Sequence, residues 1–305
     1  MAFISPFFHP THRFRQSVAN PRLRVLADTL IEYALMRRAR SLAKSPLNRP
    51  KYIHSCDFIG ACINTEGYYE KPYIDFVRTS VLPRLNARPR CLVDIGANIG
   101  NHSLCLGVDF EKVISIEPAQ VNFELLKLNC RDPKFTLHNI ALSSKRGEAI
   151  IAIDSVNKGA SRLEPLHSSR GIMNTHEELI QTTTLDSLLF SEPAVDVIKV
   201  DVEGLEYDVL IGATEILQKF EPIILFEQNS WDVKGSSQSA ATLLSRLGYR
   251  FILLSGASLH EPGSKLDKLS RLLRLLILGQ SIQVEWVDLV PDQNTYPVVV
   301  AYKPG

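Results

Sequence analysis

From residue 90 onward, short apolar runs alternate with stretches whose apolar positions recur every three or four residues. The first pattern predicts buried strands and the second amphipathic helices. RCLVDIG (90–96), KVISIEP (112–118), FTLHNIAL (135–142), AIIAID (149–154), VDVIKVD (195–201), PIILFEQ (222–228), YRFILL (249–254) and TYPVVVAYK (295–303) read as strands. NHSLCLGVDF (101–110), PAQVNFELLKLNC (118–130), the segment from Leu205 and SAATLLSRLG (239–248) read as helices, with Pro118 suited to a first turn. YIDFVRTSVLPRL (73–85) reads as a helix leading in. This alternation predicts an α/β domain whose mostly parallel sheet is covered on both faces. Residues 155–180 are polar and show no core pattern, and SPLNRPKY (45–52) reads as a linker. DFIGACINTEG (57–67) echoes DIGANIGNHSL (94–104), but no apolar strand precedes it and no helical pattern follows, so the echo reads as coincidence.

Composition is that of a globular chain of 305 residues, 45% hydrophobic and 22% charged. Charge adds one feature. Residues 1–51 carry ten Lys/Arg against Asp28 and Glu32, so this segment holds +8 while the whole chain nets +1. Within it Leu23, Leu26, Leu30 and Tyr33 fall at helical spacing. The expected division is a basic, partly helical extension over 1–50 and one domain over 51–305. The extension reads either as a helix packed on the domain or as a contact for an anionic membrane surface; nucleic acid is the less favoured partner. A second basic-apolar stretch, KLDKLSRLLRLLILGQ (265–280), reads as an inserted helix, with a lid or interfacial role as the sharper alternative. Oligomeric state is not legible. Five cysteines without CxxC spacing read as buried thiols. With no signal-peptide pattern and no run of spanning length, the expected location is cytoplasmic, with peripheral membrane contact possible.

The junction LVDIGANIGNHSL offers candidate chemistry. Gly96 and Gly100 allow a tight turn between strand and helix, beside which a ligand is expected. Glu117 closes the next strand, where a carboxylate accepts hydrogen bonds from ribose hydroxyls. The spacing departs from the dinucleotide fingerprint, with Asn98 where a middle glycine would stand. Asp94 precedes Gly96 by two, and a carboxylate there repels phosphate but attracts an ammonium. Both features favour S-adenosylmethionine over a dinucleotide; a purely structural turn is the alternative.

VDIGANIGNHSL, ISIEP, LHNIALSS, TTLDSLL and IKVDVEGLEYDVLIGA, in this order, resemble the FkbM family of S-adenosylmethionine-dependent methyltransferases, closely over about residues 66–230. The resemblance implies a seven-stranded, doubly wound sheet with a reversed final strand. It also implies methyl transfer to a hydroxyl of a sugar, glycolipid or other secondary metabolite. By family position the turn (Asp94, Gly96, Ala97, Asn98, Gly100, Asn101) holds the methionine part of the cofactor, with Asp201 beside it. Glu117 holds the ribose, and Asn139 and Ala141 flank the adenine.

Four acids crowd the next strand–helix junction: Asp201, Glu203, Glu206 and Asp208. Asp208 fits a helix start, where acids complement the dipole. Asp201 and Glu203 precede the helix and read as site residues, and Glu206 fits either role. His102 is a further candidate base, since histidine changes charge near neutral pH. Glu227 points to the same sheet edge. No spacing completes a metal-ligand set. Two other classes remain: a non-catalytic partner with this fold, and a nucleic-acid methyltransferase. Against the second, Asp201-Val202-Glu203 stands where amino-methylating enzymes carry an Asn-Pro-Pro-Tyr-like tetrapeptide.

Overall fold

The structure, a computed structural model, describes residues 22–44, 51–55, 57–85, 89–154, 162–164, 175–229, 239–256, 282–291 and 294–304. The helix expected at 265–280 lies outside them, as do the first 21 residues of the basic extension and Cys56. Cys91, Cys105 and Cys130 are buried free thiols as expected, and Cys62 is half-buried.

At the centre are β1 (Cys91–Ile95), β2 (Lys112–Ile116), β3 (Phe135–His138), β8 (Val197–Val200) and β9 (Ile223–Gln228), all parallel. The order across the sheet is β11-β10-β12-β9-β8-β1-β2-β3. Strand β12 (Tyr296–Tyr302) is antiparallel to both β9 and β10 (Arg250–Gly256). Continuous apolar runs suit β1 and β8 because both are buried on both faces. One face packs under α6 (Leu185–Leu188), α7 (Glu206–Ile211), α8 (Thr214–Phe220) and α9 (Ala240–Arg246), through Leu185, Val209, Ile216 and Leu244. The other packs under α3 (Lys71–Phe76), the wide turn Val77–Val81 and α4 (Asn101–Gly107), through Ile74, Val77 and Leu106. Successive strands leave β1 in opposite directions, toward β2 on one side and β8 on the other. The crevice beyond their carboxyl ends is where open α/β sheets bind ligands.

The sheet has eight strands rather than seven. The extra one, β11 (Ile282–Val287), pairs antiparallel with β10 at the edge. Its sequence IQVEWV alternates, as an edge strand with one covered face should. FTLHNIAL is not one strand. It breaks at Asn139–Ile140 into β3 and β4 (Ala141–Leu142), which belong to different sheets. The second sheet, ordered β4-β7-β5-β6, contains β5 (Gly147–Asp154), β6 (Arg162–Glu164) and β7 (Thr175–Thr183). Thus 162–164 and 175–180, read as irregular, are extended. β7 escaped detection because THEELIQTT places only Ile180 and Thr182 in the interior, the rest being polar or exposed. Helix α5 (Gln120–Asn129) begins two residues after Pro118.

Two N-terminal helices complete the picture. Segment 57–67 is not a second glycine turn, yet it is helical: α2 (Phe58–Glu66) is capped by Asp57, whose carboxylate accepts the Gly60 N–H at 2.6 Å. Ahead of it α1 (Arg22–Leu42) leaves Leu26, Leu30, Ile31, Tyr33 and Met36 56–65% exposed. Its described contact with the domain is to α2, where the Arg38 Nε donates to the Thr65 carbonyl. The helix is therefore not packed on the domain through its apolar positions.

Asp57→Ala is expected to lower unfolding stability by about 1 kcal/mol, the usual value of such a cap, measured by urea denaturation.

Candidate active site

The register of β1 against β8 places Asp94 beside Lys199, and that against β2 places Asp94 beside Ser115. Paired residues of neighbouring parallel strands share a face, so Ser115, Asp94 and Lys199 form a polar row across a buried surface. Asp94 is wholly buried. Its Oδ2 accepts a 2.6 Å hydrogen bond from the Ser103 hydroxyl, and its Oδ1 lies 3.4 Å from the Lys199 Nζ. The ammonium then reaches Asp201 at 3.0 Å and donates to the Gly96 carbonyl at 3.2 Å. Burial alone would depress the Lys199 pKa, but Asp201 and then Asp94 outweigh it and hold it above the usual lysine range. Burial alone would raise Asp201; Lys199, with His102 adding, instead holds it below the usual carboxylate range. Asp94, expected beside a ligand ammonium, stands one layer behind the cleft and serves Lys199. The carboxylate facing the cleft is Asp201, 36% exposed.

The glycine turn spends its own donors. Gly96 and Ala97 N–H groups both point at the Ile116 carbonyl, the Gly100 N–H at Ala97, and the Asn98 N–H at Glu117 Oε2 (2.9 Å). Gly96 has φ +73, and a Cβ there would lie 1.8 Å from the Asp201 carbonyl. The glycine is thus required by the crossing of β1 with the end of β8, as well as by the turn. Gly100 lies behind the cleft wall, packed against Leu126 and Cys130. Glu117 is buried and accepts N–H groups from Asn98 and Ala119; burial outweighs them and pushes its pKa up to about 7.

In the acidic segment the four carboxylates part company. Asp201 and Glu203 line the cleft, Glu203 with a left-handed backbone (φ +53) followed by Gly204 (φ +97). Glu206 turns back. Its Oε1 accepts the Val202 and Gly204 N–H groups at 3.2 and 3.3 Å, and the side chain is 5% exposed. Its carboxylate is committed to shaping the loop, outside the cleft lining, and burial pushes its pKa up to about 7. Asp208 accepts from the Ser144 hydroxyl at 3.0 Å. From β9, Glu227 does line the cleft. Burial, with the charges of Asp201, Glu203 and Glu70 adding, pushes it up to about 8.

The remaining wall comes from before the sheet. Phe58, Ile59, Tyr69 and Glu70 border the cleft, the Phe58 and Tyr69 rings meeting edge-to-face at 6.0 Å. Asn101 fixes this segment: its Oδ1 accepts the Tyr69 N–H and its Nδ2 donates to the Tyr69 carbonyl, at 3.0 and 3.1 Å. The neighbouring His102 Nε2 lies 3.1 Å from Glu70 Oε2. Of the four non-glycine residues with positive φ among the described residues, Glu70, Asn98 and Glu203 line the cleft, so backbone strain is concentrated there.

The cleft therefore gathers Gly96, Ala97, Asn98, Asn101, His102, Glu117, Ala141, Asp201, Glu203 and Glu227 from among the expected residues. Asp94, Gly100, Asn139 and Glu206 are outside its lining. Asn139 donates its amide to the backbone carbonyls of Glu117 and Pro118, both at 2.9 Å. Ile140, Leu142 and Ile151 supply an apolar wall. Sequence reading missed Lys199, although a lysine inside the apolar run VIKV carries a signal, because buried ammonium groups need carboxylate partners. It also missed the Tyr69–Glu70 segment, which nothing in the local pattern connects to the sheet. Among the described residues, no group of three His, Cys, Asp or Glu is placed to hold a metal ion.

Against known proteins, the family model of the methyltransferase FkbM domain matches residues 94–251, just over half of the chain. No curated protein matches significantly. Among solved structures, a methyltransferase FkbM from Methylobacillus flagellatus KT aligns with 17% identity and a TM-score of 0.40, over 90% of this chain and 60% of that one. This chain thus spans less than two thirds of that protein. The plantazolicin methyltransferase BpumL, solved with a desmethyl analogue and SAH, aligns at 12% identity and 0.38, over 91% and 99%. A precorrin-6y C5,15-methyltransferase from Geobacter metallireducens GS-15 aligns at 13% and 0.37, over 75% and 87%.

Lys199→Met leaves two carboxylates without their cation and is expected to cost about 3–5 kcal/mol of stability; adding Asp94→Leu recovers part of it. Asp201 ionises below its unfolded value of about 3.9, so the triad's contribution is present above that pH. It is lost as pH falls through the depressed folded value. The stability gap between wild type and Lys199→Met, measured by urea denaturation at successive pH values, should accordingly be full above about pH 4 and narrow below it.

Proposed function

The chain belongs to the FkbM methyltransferase family, and from that premise we propose that it transfers a methyl group from S-adenosylmethionine to a hydroxyl of a sugar, glycolipid or other secondary metabolite. The observation that carries the cofactor assignment is the charge of the cleft. Glu70, Glu117, Asp201, Glu203 and Glu227 line it, Glu117 and Glu227 with raised pKa values, while the one lysine of the described lining, Lys199, is engaged by Asp94 and Asp201. Such a surface repels phosphate and suits a cation.

When bound, the cofactor supplies a methyl carbon on cationic sulfur, which leaves as a neutral thioether. The chain's part is to hold and orient. Asp201, kept ionised by Lys199, faces the positive part of the ligand, and Glu117 has lone pairs left for ribose hydroxyls. Ile140, Leu142 and Ile151 offer an apolar wall to the purine, with Ala141 between the first two. Glu227, largely protonated at neutral pH, can donate to an acceptor oxygen, so two neighbouring carboxyl groups take opposite protonation states. His102 and Asp201 are the candidate bases, and alignment of the acceptor provides much of the remaining rate.

A peripheral membrane contact is a second reading, favoured by α1. Its exposed apolar side chains lie in a segment that is strongly basic, and cations with apolar residues together fit an anionic bilayer. No described helix is long and apolar enough to cross a membrane.

Titration calorimetry should detect S-adenosylmethionine binding, weakened about 10–100-fold by Asp201→Asn, the usual value of a charged hydrogen bond. Near pH 8 the bound cation favours ionised Glu227, so binding should release part of a proton, more than S-adenosylhomocysteine does. Buffers of different ionisation enthalpy measure this; no binding refutes the cofactor. A product-mass screen over extracted glycolipids and glycans identifies the acceptor, and a product methylated on nitrogen or carbon would exclude a hydroxyl. On liposomes containing anionic lipid, the full chain should float and a form lacking residues 1–50 should not. Flotation of neither removes the membrane reading.

A further inference from the structure

We infer that Glu70 is the positioning partner of His102, holding the imidazole so that its Nδ1 takes the proton of the acceptor hydroxyl. This rests on the methyl-transfer reading above and assigns a role to a residue outside the matched family region.

Four observations converge on the pair. Glu70 Oε2 and His102 Nε2 are 3.1 Å apart, and the two side chains are only 19% and 12% exposed. Both border the cofactor cleft and also a smaller cavity beside it, walled by Ile74, Leu106, Leu225, Phe226 and Val298. The pair therefore sits on the rim shared by the two spaces, with Asp201, Lys199 and Glu227 completing it. A proton transferred there leaves from the boundary between donor and acceptor. Third, the carboxylate is held from behind. Asn101, next to His102, grips both polar atoms of the Tyr69 peptide, so one turn of α4 fixes the backbone and the side chain of the 69–70 segment together. Fourth, Glu70 adopts a left-handed backbone (φ +56) at the start of α3, a conformation that costs energy in a non-glycine residue. Its side chain does not cap that helix, so local helix formation does not account for the strain.

The chemistry follows from the two ring nitrogens. A carboxylate accepting from Nε2–H fixes that tautomer, and the lone pair is then on Nδ1. As the hydroxyl reacts, its O–H bond breaks, the electron pair stays on oxygen, and the proton bonds to Nδ1. The resulting imidazolium lies against the Glu70 carboxylate, which stabilises it without accepting the proton.

Nitrogen-15 NMR of the histidine-labelled full chain, in mildly alkaline buffer, tests the pair directly. The wild type should show His102 protonated at Nε2, with a slowly exchanging, downfield proton resonance that Glu70→Ala loses. Protonation at Nδ1 in the wild type overturns the proposal, even if the variant does not fold. So does survival of the resonance in a folded Glu70→Ala. Because Glu70 also lines the cofactor cleft, S-adenosylhomocysteine binding is measured in the wild type. Its absence from the wild type, with the NMR signature intact, would defeat the cofactor reading and leave the pair standing. With the acceptor in hand, Glu70→Ala should lower kcat about 10–100-fold, less than the 10²–10⁴ a base contributes, at unchanged KM. Glu70→Gln, which still accepts from Nε2–H, should recover part of that loss. Wild-type kcat in Glu70→Ala overturns the assignment.

Discussion

One ammonium held between two carboxylates organises the cleft end of the sheet. Lys199 lies opposite Asp94 in the parallel register and reaches forward to Asp201, tying the ends of β1 and β8 at the point where the sheet reverses direction. Burying Asp94 and Lys199 is expensive, and the arrangement is tolerable because each charge has a partner and Asp94 also takes the Ser103 hydroxyl. The same ammonium donates to the Gly96 carbonyl, so the position of the glycine turn and the ionisation of Asp201 are set by one group. In the other direction, the Asp201 carbonyl passes so near Gly96 that no larger residue fits. Turn, lysine and acid are mutually dependent.

Around this centre the protein sorts its acids by environment. Asp201 is pulled down by Lys199, whereas Glu117, Glu206 and Glu227 are pushed up by burial. Glu206 uses its carboxylate to hold the loop that presents Asp201 and Glu203, and that loop turns through two successive left-handed residues. The cluster that seemed one feature in sequence is a site with its own scaffold.

Much of the sheet was legible because its central strands are buried on both faces and read as continuous apolar runs. β11 and β7 were not, for opposite reasons: one is an exposed alternating edge, and the other is mostly polar and pairs with β5 from across a strand that intervenes in the chain. The division of β3 from β4 turns on Asn139, whose amide bonds to the backbone of the next loop, a tertiary choice invisible to periodicity. Of the cleft lining, Asp201, Glu203, Glu117 and His102 were readable from their places at strand ends and turns. Asp94 was placed correctly in the fold, but its neighbour Lys199 was not foreseen, because it arrives from a strand about 100 residues away. Glu70 was unreadable for the same reason, its link to His102 being made by folding alone.

The grip of Asn101 on Tyr69 also bears on how the protein can be divided. The region matching the family begins at Asp94, inside β1, and ends at residue 251, before most of β10 and all of β12. A fragment cut at those limits would lose the strand between β9 and β10 and leave both arms of Asn101 without their peptide. It would also discard Phe58, Tyr69 and Glu70, a whole side of the cleft. Chimeras between relatives should therefore be joined upstream of Asp57 and run through β12. The smallest portable unit is larger than the recognisable one.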